Sequence, residues 1–307
     1  MRVLVTGGAG FIGSHTVEAL LAAGCQPAVL DNLSRGRREN LPDGVTLYHG
    51  DIRDTVLVSR AVEEFEPRAV IHLAAQVDVQ TSLSRPDEDM AINIGGTINL
   101  LEASRRYGVG KVVYASSAAV YGDPQYLPVD ERHPLQPLSP YGISKHTAEH
   151  YLEAYRCLYG INYVVLRYAN VYGPRQDATG EGGVVAIFAD RVRRGQAPVI
   201  FGDGEQTRDF IYVRDVAAAN LAALQRGDGL IANISTGRAT SVNQLYQLFR
   251  QLVPGAPPAR YAPPRPGDIQ HSVLDCGRAV QQLAWQPGYT LAAGLAEMLS
   301  VGKMCGE

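Results

Sequence analysis

The chain has 307 residues, of which 46% are hydrophobic and 19% charged, and its formal net charge is −3. That balance is globular: disorder needs lower hydrophobicity and more net charge, and a nucleic-acid binder needs a basic field that is missing here. At roughly 150 residues per domain the length predicts about two domains, while no apolar run reaches the ~18 residues of a membrane helix and the glycine-broken N-terminus lacks the layout of a secretory signal.

In chain order, residues 2–5 read as a strand, 12–23 as a helix and 27–30 as a strand. Residues 45–49, 69–73 and 111–115 read as further strands, with helical patterns between them. Continuous apolar runs such as "AVIHLAA" suit strands buried on both faces. Strands alternating with helices imply a parallel sheet with right-handed crossovers. The expectation is a doubly wound α/β (Rossmann) domain over residues 1–169, closing with a strand at 163–168. Beyond it the elements shorten, and the proline-dense stretch 254–267 reads as extended or turn. Residues 170–307 are expected to form mainly a smaller, mixed α/β substrate domain, with one or two segments returning to the main sheet. "SRGRREN" reads as a short solvated basic loop. Cys25, Cys157, Cys276 and Cys305 are scattered with no CxxC pair, which suits a reducing cytoplasm and no zinc site.

The sharpest local signal is Gly7-Gly8-Ala9-Gly10-Phe11-Ile12-Gly13, set between the first strand and its helix. Glycines there allow a tight turn and let a pyrophosphate approach the amides at the helix N-terminus. Asp31 ends the second strand 18 positions after Gly13, near the roughly 20 expected of a ribose-binding acid. A carboxylate at that place accepts from both adenine-ribose hydroxyls and repels a 2′-phosphate, which favours NAD over NADP. Arg35, Arg37 and Arg38 lie close enough to serve a 2′-phosphate instead. Asp51, in "HGDIRD", reads equally as a cap on the adenine edge or as a turn aspartate.

Tyr141 and Lys145 are four apart, so on a helix they share one face. Only three of the 28 basic residues are lysine, and one of them stands here. Its ammonium is expected to favour the phenolate and lower the phenol pKa toward neutrality. Ser116 and Ser117 follow the fifth strand, at the carboxyl edge where such sheets bind ligands. A serine there can bond a reacting hydroxyl and share its proton.

Taken together, "TGGAGFIGSH", "LDN", "GDIRD", "HLAA", "NIGGT", "YASSAAVYG", "SPYGISK", "LRYANVYGPRQ", "GDGEQTRDFIYVRDV" and "RPGD" resemble the NAD-dependent sugar-nucleotide epimerase/dehydratase group of extended short-chain dehydrogenases/reductases. The resemblance spans nearly the whole chain. It implies a catalytic set of Ser117, Tyr141 and Lys145. It implies NAD contacts at Gly7, Gly10, Phe11, Ile12, Gly13, Asp31, Asn32, Asp51, Ile52, Leu73, Ala74, Ala75, Asn93, Tyr141, Lys145 and Tyr168.

For the sugar nucleotide the resemblance implies Ser117, Tyr141 and Asn170, with Arg208 and Arg265 on the diphosphate and Asp268 on the uridine ribose. It also implies that Ser272 walls the pocket beside the sugar C2 substituent, where a tyrosine in relatives fills the space. Serine leaves room for an acetamido group unless His271 or Val184 closes the gap.

Dehydrating members of the group carry an Asp-Glu pair in the serine loop, and decarboxylating members a glutamate. Here Ser117-Ala118-Ala119-Val120-Tyr121 has neither. The implied reaction is inversion at C4 of UDP-glucose or UDP-galactose: transient oxidation with bound NAD, rotation of the 4-keto sugar, and hydride return. Another UDP-sugar (N-acetylglucosamine or glucuronate) or a non-catalytic NAD-sensing role are the alternatives. The resemblance further implies a cytoplasmic homodimer, with helices at about 88–106 and 142–159 forming a bundle. Ala148 and Leu152 suit that bundle or the core equally.

Overall fold

In the computed structural model, residues 1–178, 183–265 and 267–301 are described. Pro266 of "RPGD" and Cys305 lie outside them. The first half builds a sheet from β1 (Arg2–Thr6), β2 (Gln26–Asp31), β3 (Thr46–His49), β4 (Ala69–His72), β5 (Lys111–Ser117) and β6 (Asn162–Tyr168). Between these strands run α1 (Phe11–Ala22), α2 (Thr55–Phe65), the short α3 (Val79–Ser84) and α4 (Pro86–Met90), α5 (Gly96–Arg106) and α6 (Pro140–Tyr159). The second half adds β7 (Asn170–Tyr172), α7 (Val184–Arg193), β8 (Val199–Phe201), β9 (Thr207–Arg208), β10 (Phe210–Tyr212) and α8 (Val213–Gln225). After these come β11 (Leu230–Ile234), β12 (Thr240–Ser241), α9 (Val242–Leu252), β13 (Arg260–Ala262), α10 (Gly277–Leu283) and α11 (Leu291–Val301).

The main sheet has seven parallel strands in the order β11-β6-β5-β4-β1-β2-β3. The chain winds outward from β1 to β3, returns to β4 and winds the other way. The reversal leaves a crevice at the carboxyl ends of β1 and β4, the place where open α/β sheets bind ligands. Both faces are covered, which is why the strands carry continuous apolar runs. One core lies between the sheet and α1, α8 and α10, around Val5, Val29, Ile71, Leu166 and Ala219. The other lies under α2, α5 and α6, around Leu4, Leu30, Val70, Leu100 and Leu152. β11 thus joins the main sheet although it falls in the second half of the sequence. The remaining late elements form two-stranded pairs, β10 with β7, β12 with β9 and β13 with β8, over a third core centred on Phe188, Leu245 and Phe249.

Local signals explain the elements that carry the site. Ser139 caps α6 by accepting from the Gly142 amide, Pro140 occupies the first turn, and Gly160 closes the helix at φ 74°. Each device matches its place: a hydroxyl at the N-cap, proline at the start, glycine in the left-handed position past the end. Losing such an N-cap hydroxyl costs about 1 kcal/mol. α4 and α5 are one continuous helical run interrupted by a π turn over Ala91–Gly95. Asn93 sits inside that turn, and Gly96 lets α5 approach Ile52, whose Cγ2 stands 2.5 Å from where a Cβ would be.

Candidate active site

The turn from β1 to α1 is shaped by glycine. Gly7 has φ +69°, and a Cβ on it would lie 2.7 Å from the Ala74 amide nitrogen. A Cβ on Gly13 would lie 2.1 Å from the Gly7 carbonyl oxygen. Side chains at these positions would push the turn away from β4 and from α1. Gly10 is the N-cap of α1, contributes no side-chain cap, and the first helical turn has no acidic residue. Phe11 and Ile12 open the helix. Its N-terminus therefore offers backbone amides and the positive end of the helix dipole, which suit an anion.

Asp31, at the end of β2, accepts from the Ala9 amide at 2.9 Å and the Leu33 amide at 2.8 Å, one on each oxygen. A carboxylate oxygen has two lone pairs, so both oxygens keep acceptor capacity while bracing the glycine turn. Asp51 ion-pairs with Arg53 and accepts from Asn32 at 2.9 Å. The Arg53 bond holds its carboxyl well below the usual range. Its charge is thus already matched before any ligand is considered.

Leu73, Ala74 and Ala75 leave β4 beside Thr6, whose hydroxyl accepts from the Ala74 amide at 3.2 Å and bonds His72 Nδ1 at 2.6 Å. Burial first, then the Lys145 charge, lowers the His72 pKa to about 3, so this imidazole is neutral. Asn93 clamps the following loop. Its Oδ1 accepts from the Gln76 amide at 2.8 Å, and its Nδ2 lies 3.0 Å from the Gln76 carbonyl and 3.1 Å from Asp89. Thr6, His72, Gln76 and Asp89 were not singled out from the sequence. Thr6 and His72 are polar residues in apolar runs, a signal that is visible but carries no partner, whereas Asp89 follows Asp87 and Glu88 and reads as one of a solvated acidic group.

The side chain of Ile52 packs in the core under α2 and α5. Tyr168 is likewise buried, with its hydroxyl donating to Asn220 of α8 at 2.7 Å. Ala148 and Leu152 are fully buried core residues.

The reactive set converges at the end of β5. The Ser117 hydroxyl lies near enough to the Tyr141 phenol to favour its ionised form, and Ser117 Oγ accepts from the Ala119 amide at 3.2 Å. Lys145 Nζ donates to the Ala115 carbonyl at 2.8 Å and lies 6.0 Å from the centre of the Tyr141 ring. The expectation that Lys145 lowers the phenol pKa toward neutrality is not met in the free chain. Burial pushes Tyr141 up, the nearby Ser117 hydroxyl opposes it, and Asp89 adds to the rise. Lys145 gives one of its three N–H groups to the Ala115 carbonyl and is not among the groups that set the direction for Tyr141. Lys145 is itself lowered to about 8 by burial, against the pull of Asp89 and Glu149.

The residues expected to hold the sugar nucleotide are placed by the later strands. Asp209, buried beside Arg208, accepts from the Thr236 and Gly237 amides and the Thr236 hydroxyl. That locks β9. The Thr207 amide donates to the Gln270 carbonyl at 2.8 Å and the Ser272 amide to the Thr207 carbonyl at 3.1 Å. This stitches residues 270–272 alongside and brings Asp268 onto Arg208. Arg265 stacks on Phe201, 4.1 Å from the ring centre. Arg265, Asp268, Phe201, Asp203 and Gln206 line one cleft of about 370 Å³. Asn170 is exposed at the start of β7, and His271 bonds the Thr207 hydroxyl at 3.1 Å. Val184 opens α7 and packs partly into the third core. Among the described residues no group of His, Cys, Asp and Glu is arranged to hold a metal ion.

Residues 3–235 match the model of the NAD dependent epimerase/dehydratase family. The chain is 44% identical over 304 residues to a UDP-glucose 4-epimerase of Mycolicibacterium smegmatis, covering 97% of each. It superposes with a TM-score of 0.97, at 45% identity and full coverage of both chains, on a UDP-glucose 4-epimerase from Thermotoga maritima solved with UDP-glucose. It superposes with a TM-score of 0.93, at 46% identity and 98% coverage of each, on a UDP-glucose 4-epimerase from Thermus thermophilus solved with NAD. The chain belongs to the NAD-dependent epimerase/dehydratase family.

Proposed function

We propose that the protein interconverts UDP-glucose and UDP-galactose by inverting the sugar C4. One observation carries the reading: Ser117, Tyr141 and Lys145 meet at the carboxyl edge of a Rossmann sheet, with no acidic residue in the serine loop. The relatives are named for UDP-glucose, so N-acetylglucosamine and glucuronate derivatives are the less favoured substrates.

The residues present fit NAD. The uncapped N-terminus of α1, pressed against β4 by Gly7 and Gly13, receives the pyrophosphate. Asp31 takes the adenine ribose, and Leu73, Ala74, Ala75 and Asn93 form the crevice wall. NAD, when bound, supplies the acceptor for the C4 hydride and the donor for its return.

Tyr141 takes the proton from the C4 hydroxyl and gives it back after inversion. Ser117, beside the phenol, shares that proton. Lys145 holds the end of β5 through Ala115 and sets a positive charge near Tyr141, which favours the phenolate that accepts the C4 proton. Arg208 and Arg265 hold the diphosphate with charge-assisted bonds, and Asp268 exchanges its Arg208 partner for the uridine ribose. The anchor lies at the nucleotide end, which leaves the sugar free to turn its other face.

The second half, from about residue 170, supplies this nucleotide grip. A homodimer is supported by exposed apolar residues on α4 and α6, including Met90, Ile143 and Leu158. The described cysteines are free, which supports a cytoplasmic setting.

The test is incubation with separate UDP-hexoses, without added NAD, resolving both C4 epimers. Conversion of UDP-galactose and UDP-glucose to one mixture is expected. A chain that holds NAD but converts neither sugar contradicts the reading.

A further inference from the structure

Ser116, the neighbour of Ser117, takes no part in the chemistry above. Nor does the most deeply buried ion pair of the site, Glu149 with Arg167, each about 97% covered at its side chain and 2.6 Å apart. A charge pair out of water is costly to keep unless its geometry serves something.

Tyr141, Lys145 and Glu149 are spaced by four, so they form one slowly turning stripe along α6. They reach three consecutive residues at the end of β5. Tyr141 lies beside Ser117, Lys145 donates to the Ala115 carbonyl, and Glu149 Oε1 accepts from the Ser116 hydroxyl at 2.6 Å. Consecutive side chains on a strand point to opposite faces. Holding Ser117 alone would leave the strand end free to twist, and the Ser116 bond removes that freedom.

Arg167 completes the arrangement. It is the cross-strand partner of Ser116 on β6 and gives Glu149 two bonds, at 3.0 and 2.6 Å. Its third bond goes to the Tyr121 hydroxyl at 3.0 Å, and Tyr121 donates onward to Asn233 of β11 at 2.6 Å. Ser117 therefore lies between two residues, Ser116 and Tyr121, that are tied to the same ion pair.

We propose that the Glu149–Arg167 pair is a positioning device for the reaction: it fixes the chain on both sides of Ser117 and so sets the serine hydroxyl against the Tyr141 phenol. The proposal rests on the functional reading above. It also assigns a second effect to Glu149, whose carboxylate helps keep the buried Lys145 ammonium charged.

The gentlest probe is Ser116→Ala, which removes one bond and leaves the ion pair in place. Its kcat on UDP-galactose is expected to fall about 10-fold with KM and Tm near the parent values, since small misplacements of reacting groups cost up to ~10²-fold. Ser116→Thr, which keeps the hydroxyl, is expected to restore most of the rate. Glu149→Gln is expected to lose more kcat and to move the alkaline limb of the pH profile to lower pH, because removing a nearby negative charge lowers the Lys145 pKa. If Glu149→Gln proves too unstable to assay, Ser116→Ala and Ser116→Thr decide alone.

Parental kcat in Ser116→Ala overturns the proposal, as does an equal loss in Ser116→Thr. A parent protein that turns over no UDP-hexose in the same assay overturns the functional reading instead, so the two failures are distinct.

Discussion

The catalytic edge and the nucleotide-binding side of this molecule are built differently. Asp31, Asn93 and Lys145 are buried, and each is bonded to backbone or to another member of the edge. Asn170, Arg265 and Asp268 are exposed, and Arg208 is matched by Asp268 rather than by a fixed wall. The first region is preorganised by the sheet, since β1, β4, β5 and β6 all end there. The second is assembled from two-stranded pairs and loops. The chemistry demands that difference: a proton must be moved at a fixed point, while the sugar must be free to turn.

Changes on the rigid edge should therefore strike kcat, and changes on the open side should strike KM. The largest effect after the tyrosine is expected from Lys145→Met, which keeps the stem but removes the charge: kcat should fall by about 10²-fold with KM little changed. The parent's pH profile checks the same group. The folded pKa of Lys145 is lowered to about 8, so its ammonium is present below that pH and lost as pH rises through it. A kcat that falls through about pH 8 is expected; a rate still climbing well above that pH would remove Lys145 from the charged role.

On the open side, Arg265→Ala should raise KM for UDP-galactose by about 10-fold, the scale of a lost charge-assisted bond, with kcat near parental. A kcat loss larger than the KM rise would blur the contrast between the regions. The smallest effect is expected at the cofactor's ribose. Asp31→Ser should narrow the preference for NAD over NADP, measured as the ratio of binding constants. Because Asp31 also braces Ala9 and Leu33, the variant should lose about 1–3 kcal/mol of stability, and an unchanged ratio would place the carboxylate away from the ribose.

The same contrast explains what could be read in the sequence. "TGGAGFIGSH" and "YGISK" are local: the turn, the helix start and the i, i+4 pair all lie within a few residues, so spacing alone reveals them. The strands at 2–5 and 27–30 were legible because burial on both faces leaves unbroken apolar runs, and the structure extends each by a residue or more. The braces behind the edge were not legible. Ser116 and Glu149 are 33 positions apart, and Arg167 and Tyr121 are 46 apart. Nothing periodic connects them. Glu149 alone had a readable sign, four places beyond Lys145 on the same stripe. The pKa of Tyr141 was misjudged for a related reason. Proximity in sequence suggests a dominant lysine charge, whereas burial decides the direction.

The central claim is that the Tyr141 phenol moves the C4 proton at the end of β5. It is tested most directly by Tyr141→Phe, comparing kcat on UDP-galactose with the parent while measuring NAD content and Tm of both proteins. The lost hydroxyl should cut kcat by at least ~10²-fold, with NAD content and folding retained. Near-parental turnover in a folded, NAD-loaded variant would contradict the account.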